Sequence, residues 1–168
     1  MLPAIKSDQD KPGRKVEMEV YAMKTLEVCR CKLVMENEME YIGTVSCSDD
    51  VIRIGKDLGF DSYSEEYFGL FCLNSKGTII AYHEVSHGDL CSSITHPREV
   101  FKRALLNNAS SIIIIHNHQS GNANPSDTDI ATTRRLIDAG ELLGIPVLDH
   151  IIIGAGGESR SLKANGEI

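Results

Sequence analysis

The chain has 168 residues, of which 42% are hydrophobic, enough to close one core of ordinary domain size. No apolar run approaches the roughly 20 residues of a membrane span, and the N-terminal MLPAIKSDQDKPGRK lacks the apolar centre of a signal peptide, so a cytoplasmic location is expected. The net charge of −7, from 17 basic and 24 acidic residues, argues against nucleic-acid binding through a broad basic surface while leaving a local basic patch open.

In chain order, residues 1–15 are polar, contain Pro12 and Gly13, and read as a flexible tail ahead of a single domain over residues 16–168. From Leu26 to Met35 apolar and polar residues alternate, the pattern of a strand with Cys29 and Cys31 on one face. Ser48 is placed to cap a short helix whose Val51, Ile54 and Leu58 form one stripe, with Gly59 ending it. EEYFGLFCLNSKGTIIAYHEV reads as two strands of a hairpin around Asn74-Ser75-Lys76-Gly77. A helix starting at Pro97 would bury Val100, Phe101, Ala104 and Leu105, and Asn107 and Asn108 would close it. Ser111–Ile115 is a β-branched run suited to a central strand covered on both faces. A helix over Asp127–Leu143, ending at Gly144 and Pro146, and a strand over Val147–Ile153 complete the series. The fold class is therefore α/β (α+β), a mixed β-sheet with flanking helices.

Cysteines at positions 29, 31, 47, 72 and 91 form no C-x-x-C pair, so reduced thiols fit better than a cysteine zinc site. The chemistry concentrates instead in HNHQSGNANPSDTD, directly after four isoleucines. His116 and His118 are two residues apart, so in extended backbone both imidazoles leave on one face. They emerge where the central strand ends, a usual place for a site in an α/β sheet. Asp129, in the first turn of the next helix, can swing back toward them. Two imidazoles and one carboxylate make three ligands for one divalent ion, most plausibly Zn²⁺, with water in the fourth position. Ser126 and Asp129 also fit a capping box, which is compatible with ligation because a cap can orient a ligand. Imidazoles bind metal only when neutral, so protons should compete for both histidines below about pH 6.5.

His116-x-His118-x7-Ser126-x-x-Asp129 resembles the JAMM signature of the MPN (JAB) metalloprotease fold, whose architecture is like that of the cytidine deaminases. HPREVFKRALLNNASSIIIIHNHQSG and AGELLGIPVLDHIIIG resemble its RadC branch, and the likeness covers about residues 30 to 165. The resemblance implies a zinc-dependent peptidase or isopeptidase acting on a peptide or protein substrate. It implies a glutamate base three residues before a glycine, which selects Glu66 ahead of Gly69, with Glu84 as the rival. It further implies that Ser126 steadies the oxyanion. This chain has Gln119 where the family usually has proline, a change expected to loosen the approach to the metal. The helix-hairpin-helix DNA-binding domain that many relatives carry is not evident, so a short form is expected.

The alternatives are a non-catalytic protein-interaction module or a DNA-repair-associated module on the same fold. A zinc deaminase would need H-x-E and P-C-x-x-C, and neither is present. His83, His87 and His96 are expected at the surface. Asp149-His150 suggests an internal hydrogen bond, and Arg98 a substrate contact or a neighbouring carboxylate.

Overall fold

The computed structural model describes Tyr41, residues 44–88 and residues 95–168, all within the compact unit Cys31–Ile168. The expected tail, the strand at residues 26–35, and Cys29, Cys31 and Cys91 lie outside these residues. The described elements are α1 (Ser48–Asp57), β1 (Tyr67–Leu73), β2 (Ile79–His87), α2 (Pro97–Leu106), β3 (Ser111–His118), α3 (Asp127–Leu143), β4 (Val147–Gly154) and β5 (Ser159–Ser161). They form one mixed sheet in the order β2-β1-β3-β4-β5. β3 runs antiparallel to β1 and parallel to β4, and so takes the central place that its isoleucine run predicts.

Each face of β3 supplies one core. Ile112 and Ile114 pack with Val100, Phe101 and Ala104 of α2 and Leu136 of α3. Ile113 and Ile115 face the other way, toward Val51 and Ile54 of α1. A strand sandwiched between helices has no face to offer water, which is why its sequence is continuous rather than alternating. The α/β expectation is met: helices flank a mixed sheet on both faces.

Some local expectations need correction. Cys47 caps α1, and Ser48 is its first residue. The Asp50 carboxylate reaches back to accept from the Ser46 and Cys47 amides at 2.9 and 3.3 Å, the reciprocal half of a capping box around Cys47. Leu105 is 53% exposed, because the buried stripe of α2 is complete with Val100, Phe101 and Ala104. β5 was not anticipated; three residues are too few to carry a pattern. β3 runs on through His118, so both histidines belong to the strand and not to the loop after it.

Ile114 is fully buried at the centre of the α2/α3 core. Ile114→Ala should lower unfolding stability by about 2–5 kcal/mol, from lost transfer and an unfilled cavity. Urea denaturation measures this; a change under about 1 kcal/mol would contradict the central placement of β3.

Candidate metal centre

Extending the α3-facing row of β3 past Ile112 and Ile114 brings His116 and then His118 onto the same face. β3 and β4 are parallel, so the helix that joins them must begin beside the end of β3. That connectivity sets the first turn of α3 against the two imidazoles. Ser126 caps α3 in a full capping box: the Asp129 amide donates to Ser126 Oγ at 3.2 Å, and the Ser126 amide donates to Asp129 Oδ2 at 2.7 Å. The Ser126 hydroxyl also donates to Asp129 Oδ2, at 2.7 Å. The cap thus fixes the carboxylate. Its two oxygens lie 3.4 Å from His116 Nε2 and 3.4 Å from His118 Nε2.

One ligand atom from each of His116, His118 and Asp129 falls within 4.8 Å of the others, and this is the one such group of histidine, cysteine and acidic residues among the described residues. The expected cluster is therefore brought together and could hold a metal ion. The fit can be tested on the hydrogen bonds behind it. His118 Nδ1 lies 2.8 Å from the Asn122 carbonyl, an acceptor only, so Nδ1 carries the proton and Nε2 presents its lone pair. His116 Nδ1 lies 2.7 Å from His150 Nε2, and His150 Nδ1 lies 2.6 Å from Thr133 Oγ1. Thr133 Oγ1 in turn lies 2.6 Å from the Asp129 carbonyl oxygen. For His116 Nε2 to ligate, protons must sit on His116 Nδ1, on His150 Nδ1 and on the Thr133 hydroxyl. Each then meets an acceptor, and the series ends on a carbonyl that can only accept. Every link is satisfied in that order.

Both Nε2 lone pairs then face each other at 2.9 Å beside a carboxylate, an arrangement that calls for a cation between them. Electrostatics show the same demand. Burial lowers the His116 imidazole to about 4, against the attraction of Asp129. The hydrogen bond with Asp129 raises His118 despite its burial. Burial alone would raise Asp129, but the His118 hydrogen bond, the His116 charge and Ser126 outweigh it and hold the carboxyl well below the usual range. Burial also holds His150 neutral, well below the ordinary imidazole value. Phe68 packs beside the cluster, its ring 6.1 Å from that of His116 and 5.8 Å from that of His150.

The loop between ligands is tightly folded. A Cβ on Gly154 would sit 2.1 Å from the Gly121 carbonyl oxygen, so the loop can lie against β4 only with glycine there. The His118 carbonyl accepts from the Gly121 and Ala155 amides at 3.3 and 3.0 Å, which holds the Asn122 turn behind the ring.

Glu66 immediately precedes β1 and is half-buried. Phe68 is the last residue of β1 paired along the register with β3, opposite His116, and Glu66 precedes it by two positions. Its charge contributes to raising His118. Glu84 lies elsewhere: it bonds His87 Nδ1 at 2.5 Å, and its charge acts on Tyr63 and Tyr82, which pack on the α1 side. His83 departs from the surface expectation; it is half-buried and meets Asn107 Nδ2 at 2.6 Å. His87 and His96 are exposed, and Arg98 approaches Glu99 at 3.7 Å. The Gln119 side-chain amide donates to the Ser64 carbonyl.

Sequence reasoning missed the roles of His150 and Thr133. The Asp149-His150 pair does form internal hydrogen bonds, but the side chains go opposite ways. Asp149 accepts from Ser161 Oγ at 2.6 Å and from the Lys163 amide at 3.1 Å, while His150 turns to the metal centre. Only the register of β4 against β3, with His150 beside Ile114, could have revealed it. Cys72 is buried, its thiol pushed up to about 12, so it behaves as a core residue rather than a ligand.

A family model described as a RadC-like JAB domain matches residues 45–167. A UPF0758 protein of Caldanaerobacter subterraneus subsp. tengcongensis is 44% identical over 135 residues, 80% of this chain and 57% of that protein. One from Syntrophomonas wolfei is 45% identical over 127 residues, 74% of this chain and 54% of that protein. One from Alkaliphilus metalliredigens is 54% identical over 90 residues, 54% of this chain and 39% of that protein. The chain belongs to the RadC-like JAB domain family, and it spans about half the length of the curated relatives it matches.

Two outcomes follow from the geometry. In metal-free protein His118 is raised above the ordinary imidazole value and His116 is lowered to about 4, so only His118 should compete with zinc near neutrality. Because a raised group holds its proton to higher pH, affinity should begin to fall above about pH 6.5 as pH is lowered. The slope should approach one proton per ion, rather than the two that equal histidines would give. Calorimetry in buffers of different ionisation enthalpy counts these protons; a slope of two between about pH 5 and 6.5 would contradict the assignment. Thr133→Val keeps the shape but strands His150 Nδ1–H, and should weaken zinc binding by roughly 10-fold or more, with Thr133→Ser restoring it. Unchanged affinity in Thr133→Val would break the hydrogen-bond argument.

Proposed function

We propose that the chain is a zinc-dependent hydrolase of peptide or isopeptide bonds, with His116, His118 and Asp129 as metal ligands, Glu66 as general base and Ser126 as oxyanion donor. The observation that carries this reading is the proton order behind His116, which leaves two imidazole lone pairs and one carboxylate converging on one point. Two neutral imidazoles and a carboxylate with one position left over suit a catalytic zinc site better than a closed structural one. Access favours the same view: the His116 side chain is fully buried, whereas those of His118 and Asp129 are each 13% exposed, so the centre opens on one side.

A zinc ion held there would supply Lewis acidity, polarising a carbonyl and making water acidic enough to lose a proton near neutral pH. Glu66, whose charge acts on His118, would accept that proton and later return it to the leaving amine. Ser126 carries a single hydroxyl hydrogen, now donated to Asp129 Oδ2. Its oxyanion role would require that hydrogen to turn toward the carbonyl oxygen as charge develops, while the Ser126 amide keeps Asp129 in place. Phe68 and the buried side of His116 would keep bulk water from the far wall.

Glu66→Gln should keep stoichiometric zinc while hydrolysis of a responsive peptide falls by about 10²–10⁴-fold, since the amide cannot take a proton. His116→Ala should lose the zinc itself. Metal analysis beside peptide turnover reads both. Full activity in Glu66→Gln with loss of activity in Glu84→Gln would transfer the base to Glu84, and metal-free, folded, active wild-type protein would end the hydrolase reading.

A further inference from the structure

His116 and His118 occupy alternate positions in HNHQ, and the residues between and after them use the opposite direction. Asn117 is 1% exposed on the α1 face of β3, where Ile113 and Ile115 precede it. An amide in that row is costly unless both of its polar ends are satisfied. They are. The Tyr67 amide donates to Asn117 Oδ1 at 2.6 Å, and Asn117 Nδ2 donates to the Glu65 carbonyl at 2.9 Å. These are the two backbone groups that bracket Glu66.

The paired register of β1 and β3 extends only to Phe68 and His116. At the next position the Asn117 side chain takes over, joining strands that no longer pair along that register. One step further, the Gln119 side chain donates to the Ser64 carbonyl. From the other side, the Gly88 amide donates to the Glu66 carbonyl at 2.9 Å. The backbone from Ser64 to Tyr67 is thus held at each residue.

We propose that Asn117 and Gln119 are positioning residues that mount Glu66 against the metal centre, so that one strand end holds the ligands with one side and the base with the other. The proposal rests on the hydrolase reading, in which Glu66 is the base. An apolar residue at 117 would continue the core row but leave the Glu65–Tyr67 backbone unheld. The physical need is for rigidity: a displacement of about 1 Å in a reacting group can cost on the order of 10²-fold in rate. Gln119 ties the loop through its side chain to the segment carrying the base.

Cobalt as the bound ion, with the glutamate carboxyl carbons labelled, tests this without turnover. Paramagnetic relaxation at Glu66, assigned through Glu66→Gln, reports its distance from the ion. Wild-type protein should bind one Co²⁺ and show strong enhancement at Glu66. Asn117→Leu and Gln119→Ala should keep Co²⁺ affinity within a few-fold while the enhancement at Glu66 drops several-fold and Tyr67 amide exchange quickens in the Asn117 variant. Gln119 is exposed, so Gln119→Ala carries the test should Asn117→Leu fail to fold. Unchanged enhancement in a variant that binds Co²⁺ overturns the proposal. Parallel loss of Co²⁺ and enhancement also overturns it, because the residues would then support the ligands and not the base. Wild-type protein that binds no Co²⁺ overturns the metal reading itself, a distinct result.

Discussion

A fully buried imidazole is tolerated only when neutral, with both ring nitrogens matched to partners, and His116 is buried in this way. Its Nδ1 meets His150, whose other nitrogen meets Thr133, whose hydroxyl meets the backbone of Asp129. The series leaves β3, passes through β4 and ends on the first turns of α3. Three elements of the parallel β3–α3–β4 unit are thereby tied to one ring, and Asp129, at the end of the series, is itself one of the three residues that could hold a metal ion. A cluster built in this way is part of the core.

The alternation of β3 organises the rest. Its α3-facing row reads Ile112, Ile114, His116, His118 and passes from core to ligand without a break. Its α1-facing row reads Ile113, Ile115, Asn117 and passes from core to the backbone around Glu66. Placing His116 and His118 on a central strand gives them the rigidity of the sheet, which a loop could not. Gly69, on the α1-facing side of β1, leaves room for the Tyr82 and Ile115 side chains, which a Cβ there would meet at 2.7 and 3.0 Å.

Much of this was legible in the sequence. The isoleucine run announces the central strand, and the H-x-H and S-x-x-D spacing points to the three residues that the fold brings together, because both features are local and periodic. Leu105 misled because periodicity counts apolar residues and cannot tell where a stripe stops being covered. His150 and Thr133 were illegible for another reason: their function depends on the register between β3 and β4 and on the rotation of α3, which no spacing along the chain encodes. Asn117 was in plain view yet unread, since an amide that bonds backbone some 50 residues away leaves no local pattern. The reading of Gln119 weighed only backbone freedom and not the reach of its side chain to the Ser64 carbonyl.

The central claim is that one zinc ion is held by His116, His118 and Asp129 without sulfur. X-ray absorption at the zinc edge of the loaded protein tests it most directly. The account predicts four nitrogen or oxygen neighbours at about 2.0–2.1 Å, with outer-sphere scattering from two imidazole rings. Sulfur scattering at about 2.3 Å, or scattering from no imidazole, would contradict it.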